Sequence, residues 1–443
     1  MISVGDSIRQ SAFFKILVIG FLVMLLLIPL IMISSAVYER QSRYYSVKSE
    51  IGELFGYDQT IMGPVVTVPY QRFWKDDKDK VHTDLHYAYF LPENLQIRGQ
   101  LVPETRYRGI YEVVVYRTDL TVSGAFEPPN FGFWKTIQPE HILWDDAYLT
   151  IGISDTRGIR EALTLNWNKK ELPFLSGTRS SLFDKGLHVR LPDLEQLNTT
   201  NYEFSFKLNL NGHEQLAFSP VGKETIVELS SSWQDPSFAG SFLPVERVIN
   251  ETGFEARWQV SHLGRSYPQM WNTEMQDSVN LHQEQFNVNL RLPVDFYQKV
   301  ERSIKYGILF ILLTFTTFFL FEIFNPIRIH PLQYLMVGFA LSIFYLLLLS
   351  ISEHLNFSWA YLIASGATIG LIITYGQWVL QSRQRSLIMG GFLVGLYIYL
   401  YVLLHLQDYA LLFGAIGLFV ILALVMFITR RVDWYALHLN QQR

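Results

Sequence analysis

Apolar runs long enough to cross a membrane lie in two parts of the chain, and a polar, turn-rich segment separates them. A bilayer core about 30 Å thick needs about 20 helical residues, since each residue rises ~1.5 Å. Six segments reach that length, with polar breaks between them: residues 12–37, 306–324, 332–352, 357–379, 387–404 and 409–429. The pattern predicts an α-helical membrane bundle of six transmembrane helices.

The first apolar segment has an alternative interpretation as a cleaved signal peptide. Arg9 and Lys15 precede its uncharged run at 16–33, and Ser34, Ser35 and Ala36 after that run are typical of a cleavage site. The run is longer than the apolar part of most signal peptides, however, and six crossings place both termini on the same side of the membrane. We therefore interpret it as a membrane anchor.

Residues 38–300 follow the period of two that is typical of β-strands. Apolar residues alternate with polar ones, or β-branched and aromatic residues cluster, at 113–126, 202–210, 225–231, 254–260 and 286–292. Turn signals separate these segments: the charged run at 76–80 and the pairs Asn211-Gly212 and Pro128-Pro129. We predict a large all-β, sandwich-like domain between helices 1 and 2. The chain thus divides into 1–37, 38–300, 301–429 and a tail, 430–443.

Two further features concern the organisation of this domain. Residues 160–200 are poorer in strand pattern, which leaves open a division into two subdomains. The tripeptide Phe-Leu-Pro occurs at 90–92 and at 242–244, and a strand led by Gly109 or Gly253 follows each copy. This similarity suggests an internal repeat.

The basic residues of the short loops predict the orientation in the membrane, because Lys and Arg are retained in the cytoplasm. They lie before the first helix, between helices 2 and 3, between helices 4 and 5, and in the tail: Arg9, Lys15, Arg328, Arg383, Arg385, Arg430, Arg431 and Arg443. The opposite short loops, at 353–356 and 406–408, contain none. We therefore expect a bacterial inner-membrane protein with both termini cytoplasmic and the large domain periplasmic.

Composition limits what can hold this domain together and what it can bind. The chain has no cysteine, so neither disulfides nor a lipid-modified cysteine contribute. Residues 38–300 carry 26 basic and 34 acidic side chains, a net charge of −8, while the rest of the chain carries +4. An acidic domain disfavours nucleic acid as a partner.

Sequence motifs for common chemistries are absent from the chain. It has no G-x-S-x-G, S-x-x-K, Walker or H-E-x-x-H motif, which excludes the usual hydrolase, nucleotide-binding and zinc-protease signatures. His82, Asp84 and His86 would share one face of a strand, in the composition of a two-histidine, one-carboxylate metal site. The simpler interpretation, which we prefer, is the solvated side of a strand whose other face is apolar. We assign no catalytic, cofactor-binding or metal residue and expect no cofactor.

The ionisable residues of the membrane part fall at predicted helix ends. They are Glu322, His330, Glu353, His354, His405 and Asp408. A transport or proton route usually needs such groups near mid-bilayer. The last four lie on the outer side and could form a cluster in the bundle. Ionisable residues at helix ends are expected even without a functional role, because water and lipid headgroups solvate them there. We therefore interpret these four as ordinary polar residues of helix ends.

Small residues spaced by four suit close packing of helices in lipid. The chain has three such pairs, Gly366 with Gly370, Gly391 with Gly395, and Ala410 with Gly414. They indicate either a compact bundle or a homo-oligomer.

Several segments give the chain a specific resemblance to a known family. They are GPVV at 63–66, SDTRGI at 154–159, PSFAGSFLP at 236–244, RIHPLQY at 328–334, YLLLLSISEH at 345–354 and DWYAL at 433–437. On these the chain resembles the CreD family of bacterial inner-membrane proteins over nearly its whole length. The resemblance implies a context of envelope stress and tolerance to envelope-directed agents, and it brings no catalytic residues.

Two classes of function follow from these observations. The first is a non-enzymatic component that supports cell-envelope integrity, with the lipid bilayer around its helices and an envelope protein, peptidoglycan or lipid as the partner of its domain. The second is a transporter or membrane-embedded enzyme that acts on an envelope lipid or precursor. The second class requires a water-filled cavity among the last five helices, served by the ionisable end residues.

Overall fold

A computed structural model describes residues 12–192, 194, 200–290, 296–325, 327–406 and 409–430, with the backbone alone at 12, 13 and 277. The chain forms two compact units. One consists of Met1–Tyr44 and Val294–Arg443, which we call the helical unit, and the other is Tyr45–Pro293, the β unit. Asp408, one of the ionisable residues at predicted helix ends, lies outside the described residues, as do 1–11 and 431–443 with the basic residues there.

The helical unit confirms the predicted bundle. Its helices are α1 (Ala12–Phe55, of which the part up to Tyr44 belongs here), α2 (Phe296–Lys305), α3 (Gly307–Phe324), α4 (Pro331–Ser352), α5 (Phe357–Val379), α6 (Arg383–His405) and α7 (Ala410–Thr429). All of these except α2 are long and apolar enough to cross a membrane, which makes six in the described part of the chain. The short helix α2 was not predicted, because its ten residues mix charged and apolar side chains and form no long apolar run.

Helix α1 continues 18 residues beyond the predicted end at Val37. The residues that follow Val37 are polar but contain neither proline nor glycine before Gly52, so hydropathy changes there while helix propensity does not. The helix ends before Gly56, whose φ of +123° is a conformation that side chains with a Cβ rarely adopt.

Close helix contacts in the helical unit occur at glycines other than those predicted. A Cβ added to Gly338 of α4 would lie 2.1 Å from Leu26 of α1, and one added to Gly390 of α6 would lie 2.4 Å from Ile373 of α5. The paired glycines at 366, 370, 391 and 395 have no atom within 4 Å of such a Cβ. These two pairs therefore do not pack helices together within the unit, because sequence spacing does not reveal which face of a helix turns inward. In the third pair Ala410 is buried, and a Cβ at Gly414 would lie 4.0 Å from the Tyr306 hydroxyl.

The described part of the β unit contains seventeen strands in two sheets. The first sheet has the order β13-β17-β11-β1-β5-β9-β8, with β2 added beside β1 and β16 beside β2. Its strands are β1 (Gln59–Lys75), β2 (Val81–Phe90), β5 (Tyr148–Ile153), β8 (Leu175–Ser176), β9 (Gly186–Arg190), β11 (Gln215–Phe218), β13 (Ser237–Gly240), β16 (Met270–Asn272) and β17 (Phe286–Asn289).

The second sheet has the order β14-β15-β12-β3-β4-β10-β6-β7. Its strands are β3 (Asn94–Arg108), β4 (Tyr111–Phe126), β6 (Thr164–Trp167), β7 (Lys170–Pro173), β10 (Tyr202–His213), β12 (Glu224–Ser231), β14 (Glu246–Asn250) and β15 (Gly253–Ser261). Each of the five predicted strand segments corresponds to one of these seventeen strands. The apolar positions of both sheets form one hydrophobic core, so the predicted sandwich is confirmed.

Residues 160–200 add the short strands β6 to β9 to the edges of both sheets, and the β unit is not divided there. The predicted turn at Asn211-Gly212 was wrong, since both residues lie inside β10 and pair with Arg117 and Tyr116 of β4. A Cβ at Gly212 would lie 2.5 Å from the Tyr116 hydroxyl. The glycine thus makes room for a buried tyrosine, and the bend comes two residues later, at Glu214 with φ +47°.

The two Phe-Leu-Pro segments occupy corresponding places in the sandwich. Each follows a strand of the first sheet, β2 or β13, and leads into a hairpin of the second, β3–β4 or β14–β15. Gly109 and Gly253 lie at the turns of these hairpins, with φ of +64° and +132°. The topology supports an internal repeat.

The two turn glycines allow a matched test of backbone strain. A Cβ at Gly253 would lie 1.9 Å from the carbonyl oxygen of Ser231, whereas one at Gly109 meets nothing within 4 Å. We expect Gly253→Ala to lower the free energy of unfolding by about 3 kcal/mol and Gly109→Ala by about 1 kcal/mol. The apparent melting temperature of the full-length protein in detergent, followed by circular dichroism, measures both. Equal effects would contradict this packing of the second hairpin.

Candidate functional site

Polar side chains converge where the chain leaves α1 and starts β1, within the β unit. We call this cluster the polar junction, and it consists of Tyr57, Asp58, Gln59, Asp155, Arg157 and His213. Gly56 turns the chain out of the helix, and β5 ends at Ile153, so that the segment SDTRGI lies against the start of β1. One of the segments that carry the family resemblance therefore forms a wall of this cluster.

Asp155 is the centre of the polar junction. Its side chain is 4% exposed, and the Arg157 guanidinium donates from Nε at 2.9 Å to Oδ1 and from Nη2 at 3.0 Å to Oδ2. The backbone N–H groups of Tyr57 and Arg157 donate to it at 3.2 Å. Burial by itself would raise the pKa of Asp155, but these hydrogen bonds and the charge of Arg157 outweigh it, and the pKa lies below its usual value.

Gln59 connects the same segment to a third strand. Its side chain is fully buried, and Nε2 donates to the carbonyl oxygens of Asp155 at 3.0 Å and Asn211 at 2.9 Å. A Cβ at Gly158 would lie 2.3 Å from the Asn211 oxygen, so only glycine allows this approach. One amide thereby links β1, β10 and the turn after β5.

The last turns of α1, from Tyr45 onward, belong to the packing of the β unit. Lys48 pairs with Glu214 at 2.6 Å, with both side chains largely buried, and Glu50 pairs with Arg108 at 2.7 Å. The Arg106 guanidinium lies over the ring of Phe55, 5.6 Å from its centroid. Because the buried Asp155 is held by Arg157, the polar junction beside these turns suits a mechanical role better than proton or group transfer.

The candidate metal residues lie on one face of β2, as predicted, but each has another partner. His82 stacks on Trp74 and lies 3.0 Å from Asp76 Oδ2, Asp84 accepts a hydrogen bond from Trp74 Nε1, and His86 lies against the ring of Tyr70. Among the residues that the structure describes, no group of three or more His, Cys, Asp and Glu side chains is arranged to hold a metal ion.

The residues of the proposed outer cluster also have separate partners. Glu353 accepts from the Tyr297 hydroxyl at 3.4 Å and lies 3.8 Å from Arg40 Nε. His405 contacts the ring of Tyr401 and lies 2.9 Å from its carbonyl oxygen, while His354 is exposed. Asp408 lies outside the described residues.

Sequence reasoning placed Lys15 and Glu322 at separate helix ends, and the structure brings them together. Lys15 Nζ donates to Glu322 Oε1 beside a cavity of about 440 Å³ in the helical unit. The pair joins residues 307 positions apart, and no local sequence signal could have indicated it.

Comparison with known proteins identifies relatives over almost the whole chain. The family described as "Inner membrane protein CreD" matches residues 11–435. Inner membrane protein CreD of Escherichia coli (strain K12) is 34% identical over 445 residues, which cover 98% of this chain and 96% of that protein. Among solved structures, the M1 zinc metallopeptidase of Deinococcus radiodurans is 9% identical with a TM-score of 0.20 and covers 45% of this chain and 42% of its own.

The polar junction predicts a pH-dependent loss of stability in Asp155→Asn. Because the folded-state pKa of Asp155 is lowered, its stabilising effect is present above the unfolded pKa of about 3.9 and is lost as pH falls through the folded value. At pH 7 we expect the apparent melting temperature to fall by roughly 5 °C, with the difference from wild type shrinking below about pH 4.

Asp119→Asn is the matched control, because it removes the same charge from an exposed pair with Arg160 at 3.4 Å. We expect it to melt like wild type at both pH values. If Asp155→Asn behaves the same way, the polar junction does not stabilise the β unit.

Proposed function

Because this chain belongs to the CreD family of inner membrane proteins, we propose that it supports cell-envelope integrity without catalysing a reaction. The polar junction is the observation that carries this proposal. There, the buried Asp155 pairs with Arg157, and next to this cluster the last turns of α1 are part of the β unit's own packing through Lys48 and Glu214. A binding domain built on the helix that tethers it to the membrane requires such an arrangement.

The partner of the β unit in this proposal is an envelope protein, peptidoglycan or a lipid, with nucleic acid disfavoured by the net charge of −8 over 38–300. The outward-facing positions of the second sheet favour a partner that binds through hydrogen bonds and charge. They include amides, hydroxyls and alternating charges: Asn94, Gln96, Ser123, Asn166, Arg98, Glu228 and Arg257.

The proposed orientation has both termini in the cytoplasm and the β unit in the periplasm. Described residues that support it are Arg328 before α4, Arg383 and Arg385 at the start of α6, and Arg430 after α7, all at alternate helix ends. The pair of Lys15 with Glu322 adds support, since it puts the start of α1 and the end of α3 on one side of the membrane.

A second candidate function is transport or chemistry on an envelope lipid or precursor. The cavity beside Lys15 and Glu322 favours it, because a buried ionisable residue within a bundle often marks a substrate route. The cavity lies at helix ends rather than at mid-bilayer and is lined in part by α1, which makes a binding site the simpler interpretation.

The orientation predicts which single cysteines are accessible from outside the cell. The chain has no cysteine of its own, and both Lys78 and Gln384 are exposed. A membrane-impermeant maleimide should label Lys78→Cys in intact spheroplasts and should label Gln384→Cys only after lysis. Labelling of Gln384→Cys in intact spheroplasts would reverse the orientation.

The non-enzymatic proposal predicts that Glu353→Gln with His405→Gln is functional. The amide introduced at position 353 can still accept from Tyr297, and the amide at position 405 can donate to the Tyr401 carbonyl, so abundance should not change. In a strain deleted for the gene, growth with an envelope-directed agent should fall, and the double variant should restore it as wild type does. A variant of normal abundance that behaves like the deletion would instead favour the second function.

A further inference from the structure

The cavity beside Lys15 has an apolar wall of a particular shape. Phe14, Val18 and Leu22 line it from α1, and their spacing of four residues puts them on one face of the helix. Eight residues of helix rise about 12 Å, so the wall is a stripe along the helix axis. A stripe of that length and polarity suits a hydrocarbon chain lying parallel to α1.

One end of this stripe is polar and lies at the helix ends. The Glu322 side chain is 8% exposed, and its Oε1 accepts from Lys15 Nζ and from the backbone N–H of Ile329 at 3.1 Å. Both bonds use the same oxygen, and Oε2 accepts no hydrogen bond of normal geometry from a described residue, although the Tyr334 hydroxyl lies near this carboxylate. The ion pair makes the site electrically neutral, because Lys15 and Glu322 cancel.

Two further side chains add hydrogen-bond donors to the polar end. His330 Nδ1 accepts from the Leu332 N–H at 3.2 Å and so caps α4, which places the proton of the neutral ring on Nε2. Tyr334 is 4% exposed, and its hydroxyl lies near the Glu322 carboxylate without forming a hydrogen bond of normal geometry to any described residue. A buried hydroxyl without a partner costs free energy that a ligand atom could recover.

We propose that this cavity binds a phospholipid whose zwitterionic headgroup carries a phosphate and a primary ammonium. The ammonium donates to Glu322 Oε2, while the phosphate accepts from Lys15, His330 and Tyr334, and an acyl chain follows the stripe on α1. A neutral site of this kind disfavours a headgroup with net charge, which would be left without a counterion. A quaternary ammonium has no N–H to donate to the carboxylate.

The test measures lipid binding to the full-length protein in detergent by native mass spectrometry. Phosphatidylethanolamine, phosphatidylcholine and phosphatidylglycerol with the same acyl chains are titrated separately. We expect phosphatidylethanolamine to bind about tenfold more tightly than phosphatidylcholine, the factor that corresponds to one hydrogen bond to a charged group. Equal affinities for the three lipids would overturn the proposal.

Tyr334→Phe removes one hydroxyl and keeps the shape of the side chain, so it tests the site without emptying a space in the core. Tyr345→Phe is the matched control, since Tyr345 lies in the same helix, is 1% exposed and also has a hydroxyl without a hydrogen-bond partner among the described residues, but does not line the cavity. We expect Tyr334→Phe to weaken phosphatidylethanolamine binding by about tenfold. The control should bind as wild type does, and equal effects of the two variants would contradict the assignment.

A soluble competitor distinguishes a lipid from a free headgroup. Glycerophosphoethanolamine carries the same charges without acyl chains and should compete poorly, because it cannot occupy the apolar stripe. Competition as strong as that of the intact lipid would show that the site takes a soluble phosphoethanolamine compound and would overturn the lipid assignment.

Discussion

In hydrocarbon every backbone N–H and C=O must find its partner inside the protein, and the architecture depends on this constraint. An α-helix satisfies this constraint by itself, because its backbone hydrogen bonds lie within the helix. An open sheet instead exposes a row of unpaired backbone groups at each edge. The six long apolar helices and the two open-edged sheets accordingly belong to separate compact units. Helix α1 contributes to both, because its sequence changes from apolar to polar without a residue that stops a helix.

Three buried carboxylates, in the two units, are each paired with a basic side chain. Asp155 has Arg157, Glu214 has Lys48 and Glu322 has Lys15. An unpaired charge in such places would cost several kcal/mol, so each pair also excludes alternative arrangements of the chain around it. The pairs differ in their surroundings, since Asp155 is enclosed by backbone and guanidinium groups while Glu322 borders a cavity. That difference separates a stabilising cluster from a candidate binding site.

The two proposals concern different parts of one envelope protein. The first assigns a partner to the broad polar surface of the β unit, and the second assigns a lipid to the small cavity of the helical unit. A lipid held between α1, α3 and α4 would make the stability of the bundle depend on the composition of the surrounding membrane. Such a dependence is compatible with a role in envelope integrity, and neither proposal requires a catalytic residue.

The sequence by itself determined the features that depend on local pattern. Apolar length predicted six membrane helices, and a period of two predicted five segments that are strands of a sandwich. These predictions succeed because the hydrocarbon thickness and the alternation of a strand act on consecutive residues. The segments that carry the family resemblance could also be recognised in the sequence. They did not reveal that one of them, SDTRGI, forms part of the polar junction.

Only the tertiary structure decided which distant residues meet. Asn211 and Gly212 have the composition of a turn, yet they lie inside β10 because Gly212 makes room for Tyr116. The glycine pairs of α5 and α6 have the spacing of a packing motif but lie on open faces. Lys15 and Glu322 are 307 positions apart and form one site. Contacts of this kind depend on the relative placement of whole elements, which the burial of a shared core fixes and the local sequence does not encode.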